Sequence, residues 1–116
     1  MAIERNNFKM GTVEMLVLSL LNQKDLYGYE ISLLFKNISE ENFVVPEGSL
    51  YPVLYKLEDN HYITSKEVRT GKRRIRKYYH IEDKGKIRLE ILLSDYKLIS
   101  EAIEKILSAE ISKTED

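Results

Sequence analysis

The stretch that decides the fold runs from Tyr62 to Ile81 and reads YITSKEVRTGKRRIRKYYHI. Both of its ends are rich in β-branched and aromatic residues, which predicts strands over 62–69 and 75–81. A Thr-Gly pair between the two supplies the residues that turns prefer. The sequence therefore predicts a β-hairpin whose turn and return strand carry a run of basic residues.

This basic run makes the charge of the chain uneven. Segment 64–88 contains ten basic and three acidic residues, a net charge of +7, while the rest carries -8 and the whole chain -1. Segment 69–77 holds six of the basic residues and no acid. Like charges so close repel one another in the folded state. Two interpretations stay open at this point, a solvated loop or an element that contacts phosphates.

Length and composition exclude several classes of protein. With 116 residues, 43% hydrophobic and 32% charged, the chain is expected to form one globular domain. It has no cysteine, so disulfides and thiolate zinc sites are excluded. No apolar run is long enough to span a bilayer, and residues 1–7 lack a signal-peptide pattern, so we expect a cytoplasmic protein without membrane contact.

Catalytic and metal-binding patterns are missing from the sequence. We find no nucleophile paired with a base, no phosphate-binding glycine loop and no cluster of metal ligands. The two histidines, His61 and His80, lack the spacing of a shared ligand set. We therefore expect no catalytic residue, no metal site and no cofactor, and do not expect an enzyme.

Three helices are predicted before the hairpin, over 12–22, 29–38 and 49–60, from apolar residues repeating every three to four positions. The first is apolar nearly all round, so more than one face must be covered. In the third, we expect Ser49 to be the N-cap, because this places Pro52 in the first turn, where its missing N–H is tolerated. The face opposite its apolar stripe carries Ser49, Pro52 and Lys56, with Tyr51 and Tyr55 at the edges.

A long helix is predicted last, over 84–111, with Glu82 or Asp83 as its cap. Its apolar residues alternate in spacings of three and four, as in a heptad seam, and are Leu89, Leu92, Tyr96, Ile99, Ile103 and Ile106. A seam this long favours self-association, although cover by the first helix of the same chain remains open. Ile87, Ile91 and Leu98 form a flank that we expect to pack on the body of the domain.

Three helices, a hairpin and a final helix are the layout of a winged helix-turn-helix. The expected fold class is thus mainly α with a small β-hairpin (α+β), with a DNA-binding domain over 1–82 and a dimerisation helix over 83–116. The third helix would enter the major groove and the hairpin would be the wing. The expected contacts to double-stranded DNA are Ser49, Tyr51, Pro52, Lys56, Lys72, Arg73, Arg74 and Arg76. The alternative is a winged-helix protein-interaction module without specific DNA binding.

Three short motifs and one glycine resemble those of the PadR-type transcriptional regulators. They are YGYEI from Tyr27, GSLYPVLYKLE from Gly48, RKYY from Arg76, and Gly85. The single long terminal helix is similar to the small subclass of that family. The resemblance implies a homodimeric repressor that binds a pseudo-palindromic operator, commonly beside the transporter or detoxification gene it controls.

Some members of that family bind flat aromatic compounds between their two long helices. By this resemblance Tyr96 is the residue that would contact a small aromatic effector, although it also fits the dimer seam. The chain departs from the family at Glu82–Asp83, where a Thr usually precedes the acid, and in having a more basic wing and no Trp. Without Trp, stacking on an indole is excluded.

Overall fold

The computed structural model describes residues 12–112. The elements follow one another as α1 (Val13–Leu21), β1 (Leu26–Tyr27), α2 (Gly28–Ile38), α3 (Glu47–Asp59), β2 (Ile63–Arg69), β3 (Ile75–Ile81) and α4 (Asp83–Ser108). This order of three helices, a hairpin and a final helix, with α2 and α3 as the helix-turn-helix pair, confirms the expected α+β winged helix-turn-helix. The ends of the two predicted domain ranges, 1–11 and 113–116, lie outside the described residues.

Helix α1 is the centre of the hydrophobic core. Its side chains at Val13, Val17 and Leu18 have no exposed surface, and the helix contacts α3, α4 and β3. This confirms that more than one of its faces is covered. The remaining core comes from α2, α3, the inner face of the sheet, the segment before α3 and the start of α4, with Ile31, Phe35, Leu50, Leu54, Leu57, Leu26, Ile63, Tyr79, Ile81, Val45 and Leu89.

The sheet has three antiparallel strands in the order β1-β3-β2, one more than the predicted hairpin. The additional strand, β1, consists of two residues, with Leu26 opposite Tyr79 and Tyr27 opposite Tyr78. A segment this short has no period that a sequence pattern could reveal. In the hairpin, Ile63 pairs with Ile81 and Arg69 with Ile75. Both predicted long strands are thus confirmed to within a residue.

The predicted start of α3 was wrong. The helix begins at Glu47, with Pro46 as N-cap, so Ser49 is not the cap and Pro52 lies inside the helix rather than in its first turn. The backbone N–H groups of Ser49 and Leu50 both donate to the carbonyl of Pro46, at 2.9 and 3.0 Å. These two bonds stabilise the earlier start. Pro52 has no N–H to donate within the helix, but the helix continues through Val53.

Helix α4 has 26 residues and a length of roughly 39 Å at 1.5 Å per residue. Its N-cap is Glu82, one of the two predicted caps, but it ends at Ser108 rather than Ile111. The prediction that its flank packs on the domain was wrong: Ile87, Ile91 and Leu98 are 60, 49 and 62% exposed. The domain contacts the helix on one side only, through α1, β3 and the carbonyl of Tyr62.

Candidate nucleic-acid interface

The tip of the hairpin presents three cations to solvent. Lys72, Arg73 and Arg74 are exposed, and none of them has an ion pair with a residue between 12 and 112. The turn that carries them is closed by a hydrogen bond from the N–H of Thr70 to the carbonyl of Arg74, at 2.8 Å. Gly71 has a φ of +85°, which favours glycine at this position. The wing tip can therefore contact an anion without first breaking an internal ion pair.

Arg76 differs from the three cations at the tip. Its guanidinium carbon lies 4.3 Å from the centre of the Tyr27 ring, and that ring makes an edge contact of 5.4 Å with Tyr78. Tyr27 is also the N-cap of α2, where its N–H donates to Glu30 Oε1 at 3.1 Å. Arg76 thus attaches the return strand of the wing to the first residue of the helix-turn-helix.

Lys77 is the next cation along the strand and is engaged within the chain. Its Nζ lies 3.7 Å from Glu58 Oε1 and 5.7 Å from the ring centres of both Tyr55 and Tyr79. Glu58 also accepts a hydrogen bond from the hydroxyl of Ser65. Lys77 therefore connects the sheet to the outer edge of α3.

The outward face of α3 carries most of the residues predicted from the sequence. Pro52 and Lys56 are exposed and Ser49 is half-buried. Tyr55 is 52% exposed, and its ring lies 6.0 Å from that of Tyr51. The sequence predicted Tyr55 only at the edge of this face. In the structure Tyr55 lies beside Lys77 of the wing.

Tyr51 is half-buried and points toward the start of α2. A Cβ on Gly28 would overlap its phenol group, so the absence of a side chain at Gly28 makes room for Tyr51. Burial raises the pKa of Tyr51, and the nearby Glu47 and Tyr55 add to the effect. Tyr51 therefore carries a neutral phenol group, which extends from α3 and is held against the start of α2.

These elements enclose a cleft of about 490 Å³ between the wing and the helix-turn-helix. Its lining is Tyr27, Gly28, Tyr29, Glu47, Tyr51, Arg74, Ile75, Arg76 and Lys77. Of the predicted DNA contacts, Tyr51, Arg74 and Arg76 line the cleft, whereas Ser49, Pro52, Lys56, Lys72 and Arg73 lie outside it. Glu47, Tyr29 and Ile75 were not singled out by the sequence, because only the packing of α2 against the wing places them here.

The predicted seam of α4 divides into two parts. Leu89 is 5% exposed and belongs to the core of its own chain, and Leu92 packs partly against that core. Leu89 is therefore a core residue, which corrects its assignment to a dimer contact. The remaining seam residues are 46 to 74% exposed and are Tyr96, Ile99, Ile103 and Ile106.

An open apolar groove lies between the start of α1 and the middle of α4. It measures about 590 Å³, and Tyr96 lines it together with Met15, Leu92, Ile99 and Ile103. Three carboxylates line it as well, from Glu14, Asp95 and Glu104. The start of α4 is attached to α1 at this groove, since Arg88 donates to Glu14 at 3.1 Å, and this hydrogen bond raises the pKa of Arg88.

Between residues 12 and 112 no helix is both long and apolar enough to cross a membrane. In the same range no group of three or more acidic or histidine side chains is arranged to hold a metal ion. His80 lies 2.7 Å from Asp25 through Nδ1 and 3.9 Å from Glu82 through Nε2, so its two nitrogens point at different carboxylates.

A three-helix domain with a basic hairpin wing beside its helix-turn-helix defines a winged helix-turn-helix protein. Residues 17–91 match the family model described as the transcriptional regulator PadR-like family. The chain belongs to this family, which confirms the resemblance seen in its motifs. The members of the family are transcriptional regulators, so the expectation that the chain is not an enzyme is confirmed as well.

Several relatives share most of the chain. A Lysinibacillus sphaericus protein called protein X is 33% identical over 86% of this chain and 92% of its own length. A solved transcriptional regulator from Clostridium thermocellum is 35% identical, covers 82% of this chain and 89% of its own, and has a TM-score of 0.76.

A third relative has been solved with DNA. Bacillus subtilis PadR in complex with operator DNA is 30% identical, with a TM-score of 0.66 over 71% of this chain and 47% of its own. That protein carries the name negative transcriptional regulator. The chain spans about half the length of Bacillus subtilis PadR, with 52% of that protein covered.

Proposed function

We propose that the chain is a homodimeric repressor that binds a pseudo-palindromic operator in double-stranded DNA. The observation that carries this proposal is the basic wing, whose tip cations have no ion pair with residues 12–112 and whose Arg74 lines one cleft together with Glu47 and Tyr51 of α3. Support also comes from the Bacillus subtilis relative, which has been solved with operator DNA. Cytoplasmic localisation is part of the same proposal, because a repressor must reach the chromosome.

Helix α3 is the element proposed to enter the major groove. A groove of B-DNA admits one α-helix, and the helix reads bases through the side chains on its outward face. On α3 this face offers the hydroxyl of Ser49, the ring of Pro52 and the ammonium group of Lys56, and Tyr51 lies at the wall of the cleft. These groups supply hydrogen bonds, apolar contact and one phosphate contact.

The wing supplies the electrostatic part of binding. Lys72, Arg73 and Arg74 are exposed and form no ion pair with the described residues 12–112, so they can neutralise phosphates and release the counterions bound there. Arginine at the tip also suits a narrow minor groove. Arg76 contacts DNA in this proposal from its place on Tyr27, since the guanidinium stacks by its face and keeps its N–H groups at the edge.

Dimerisation through α4 sets the distance between two copies of this surface. Tyr96, Ile99, Ile103 and Ile106 form an exposed apolar strip in a single chain, and a second copy of the same strip would cover it. Leu92 lies at the start of this strip and adds to the contact. Two winged domains joined in this way would read half-sites about one helical turn apart.

A small aromatic or hydrophobic effector is proposed to act at the groove beside Tyr96. The groove combines an aromatic ring with the side chains of Met15, Leu92 and Ile99, which suits a flat apolar molecule. It lies on the helix that sets the dimer geometry. A molecule bound there would change how the two winged domains are spaced and release the operator.

The proposal is tested with the duplex that lies upstream of the chain's own gene. We expect the wild type to shift this duplex, and the double variant Arg73→Glu/Arg74→Glu to bind it more weakly, with a salt slope lower by about 2. The control is Lys97→Glu/Lys105→Glu, which makes the same change of charge at exposed positions of α4 away from the wing. A control as weak as the wing variant would show that net charge, not the wing, drives binding.

The same experiment separates the alternative function. A protein-interaction module would bind no duplex at low salt, because its basic hairpin would contact an acidic protein instead. Circular dichroism of both double variants shows whether either loses its fold. We expect both to stay folded, because the four substituted side chains are exposed.

A further inference from the structure

Gly48 occupies a position on α3 where this chain has no need of glycine. Gly48 lies in α3, which spans Glu47–Asp59. Its φ is not positive, and an added Cβ atom would have no described atom within 4 Å. Gly28 and Gly85 differ in this respect, because a Cβ there would overlap Tyr51 and the carbonyl of Tyr62. Glycine is less stable than alanine within a helix, so Gly48 lowers stability without a packing reason among residues 12–112.

Pro52 lies one turn further along the same face. As a proline it has no N–H, so it cannot donate to the carbonyl of Gly48, which is the bond a helix would otherwise make there. It is exposed, and its compact ring projects little from the helix. The carbonyl oxygen of Gly48 therefore lacks its usual helical donor, and no side chain rises from Gly48 itself.

Tyr55 borders this low strip at its far end. Residues 48, 52 and 55 share one face, since they are spaced by four and three positions. Tyr55 is held in place by the Tyr51 ring at 6.0 Å and by Lys77 Nζ at 5.7 Å. The outward face of α3 is thus shallow at Gly48 and Pro52 and is bounded by an aromatic ring.

We infer that the Gly48 backbone is itself a base-reading element, with its carbonyl accepting a hydrogen bond from an exocyclic amino group in the major groove. Cytosine N4 and adenine N6 are the donors that the major groove presents, and either could supply the hydrogen bond that this carbonyl does not receive within the helix. This inference rests on the proposed DNA binding. It explains why stability is given up at a position where alanine would fit.

The test compares Gly48→Ala with Asn37→Ala, an exposed position near the end of α2. Both substitutions put alanine into a helix without a clash, and we expect both variants to melt at or above the wild-type temperature. Each protein is titrated with a duplex that the wild type selects from a random library, and with a scrambled duplex of the same length. We expect Gly48→Ala to bind the selected duplex at least about tenfold more weakly, since a lost base contact costs about that factor.

The scrambled duplex should bind all three proteins equally, because phosphate contacts from the wing are unchanged. A second step replaces single adenines or cytosines of the selected duplex with analogues that lack the amino group. At one such position per half-site, we expect the loss of the amino group to weaken DNA binding by the wild type. The same analogue should not weaken binding by Gly48→Ala any further.

Two results would overturn the inference while leaving DNA binding intact. They are wild-type affinity of Gly48→Ala for the selected duplex, and a lower melting temperature of this variant, which would show a structural need for glycine. If the wild type selects no sequence at all, the proposed function fails and the inference fails with it.

Discussion

The guanidinium of Arg76 lies over the ring of Tyr27, 4.3 Å from its centre, and joins the wing to the start of α2. The two residues come from β3 and from the two-residue strand β1, which pair through Tyr27 and Tyr78. The short strand β1 and this stacking contact therefore join the wing to the start of α2, in addition to the ion pair of Lys77 with Glu58 on α3. A change at either residue should alter both stability and DNA binding.

We expect Arg76→Ala to lower the free energy of unfolding by about 1 kcal/mol, since a stacked cation at a partly buried site contributes that much. Its affinity for the operator should fall too, because the wing is no longer fixed. Arg73→Ala removes the same charge at the exposed tip and should leave the unfolding free energy unchanged. Urea unfolding of both variants checks this, and equal unfolding curves would contradict a role for Arg76 in positioning the wing.

The exposed half of the seam should determine the oligomeric state. Ile99 and Ile103 are 60 and 46% exposed in a single chain, so replacing both with Asp should yield a folded monomer in sedimentation experiments, in which we expect the wild type to be a dimer. The control is Leu98→Asp, which changes a side chain that is 62% exposed on the other side of α4. A monomeric Leu98→Asp, or a monomeric wild type, would contradict dimerisation through the seam.

Gly85 should not accept any side chain. A Cβ there would overlap the carbonyl oxygen of Tyr62, which also accepts a hydrogen bond from the N–H of Glu82 at 2.9 Å. We expect Gly85→Ala to lower the unfolding free energy by about 1–3 kcal/mol, as overpacking does. Thermal unfolding of Gly85→Ala, compared with that of Gly48→Ala and the wild type, checks this expectation. A Gly85→Ala protein as stable as the wild type would show that the first turn of α4 can move away from the hairpin.

Tyr79 should make stability fall at alkaline pH. It is fully buried, and its hydroxyl has no hydrogen-bond partner in the described range 12–112. Burial raises its pKa to about 12, and nearby Tyr55 and Glu58 add to the shift. The unfolded chain loses this proton near pH 10. Stability is therefore complete below pH 10 and falls as the pH rises toward 12, because the unfolded state then binds fewer protons.

Tyr79→Phe removes this titration. Its stability should decline less than that of the wild type between pH 10 and 12. At pH 7 it should be as stable as the wild type or about 1 kcal/mol more so, because a buried hydroxyl without a partner is costly. Urea unfolding at a series of pH values measures both effects, and parallel curves for the two proteins would contradict the assignment.

Much of the fold follows from local sequence patterns. The alternation from Ile75 to Ile81 predicts the return strand because side chains of a strand point to opposite faces in turn. The three-to-four spacing predicts the helices for a similar reason. The errors fall where local rules compete, as at α3, where two backbone bonds to the Pro46 carbonyl outweigh the preference for a proline in the first turn.

The candidate site was predictable only in outline. From the basic run we predicted a wing tip of Lys72, Arg73, Arg74 and Arg76. The first three are exposed at the turn, whereas Arg76 lies within β3 against Tyr27. Tyr27 and Glu47 could not be assigned to the cleft, because they come from other elements and reach it only through packing.

By itself, the sequence determined the order of the helices and of the two long strands, the basic hairpin and the membership of a regulator family. Each of these depends on neighbouring residues or on motifs. Only the tertiary structure decided which charges and apolar groups remain available. Arg76 and Lys77 are engaged by Tyr27 and Glu58, while the tip cations have no ion pair within the described part of the chain. Leu89 is buried, while Ile99 is exposed. Availability depends on contacts between residues far apart in the chain, which no local pattern encodes.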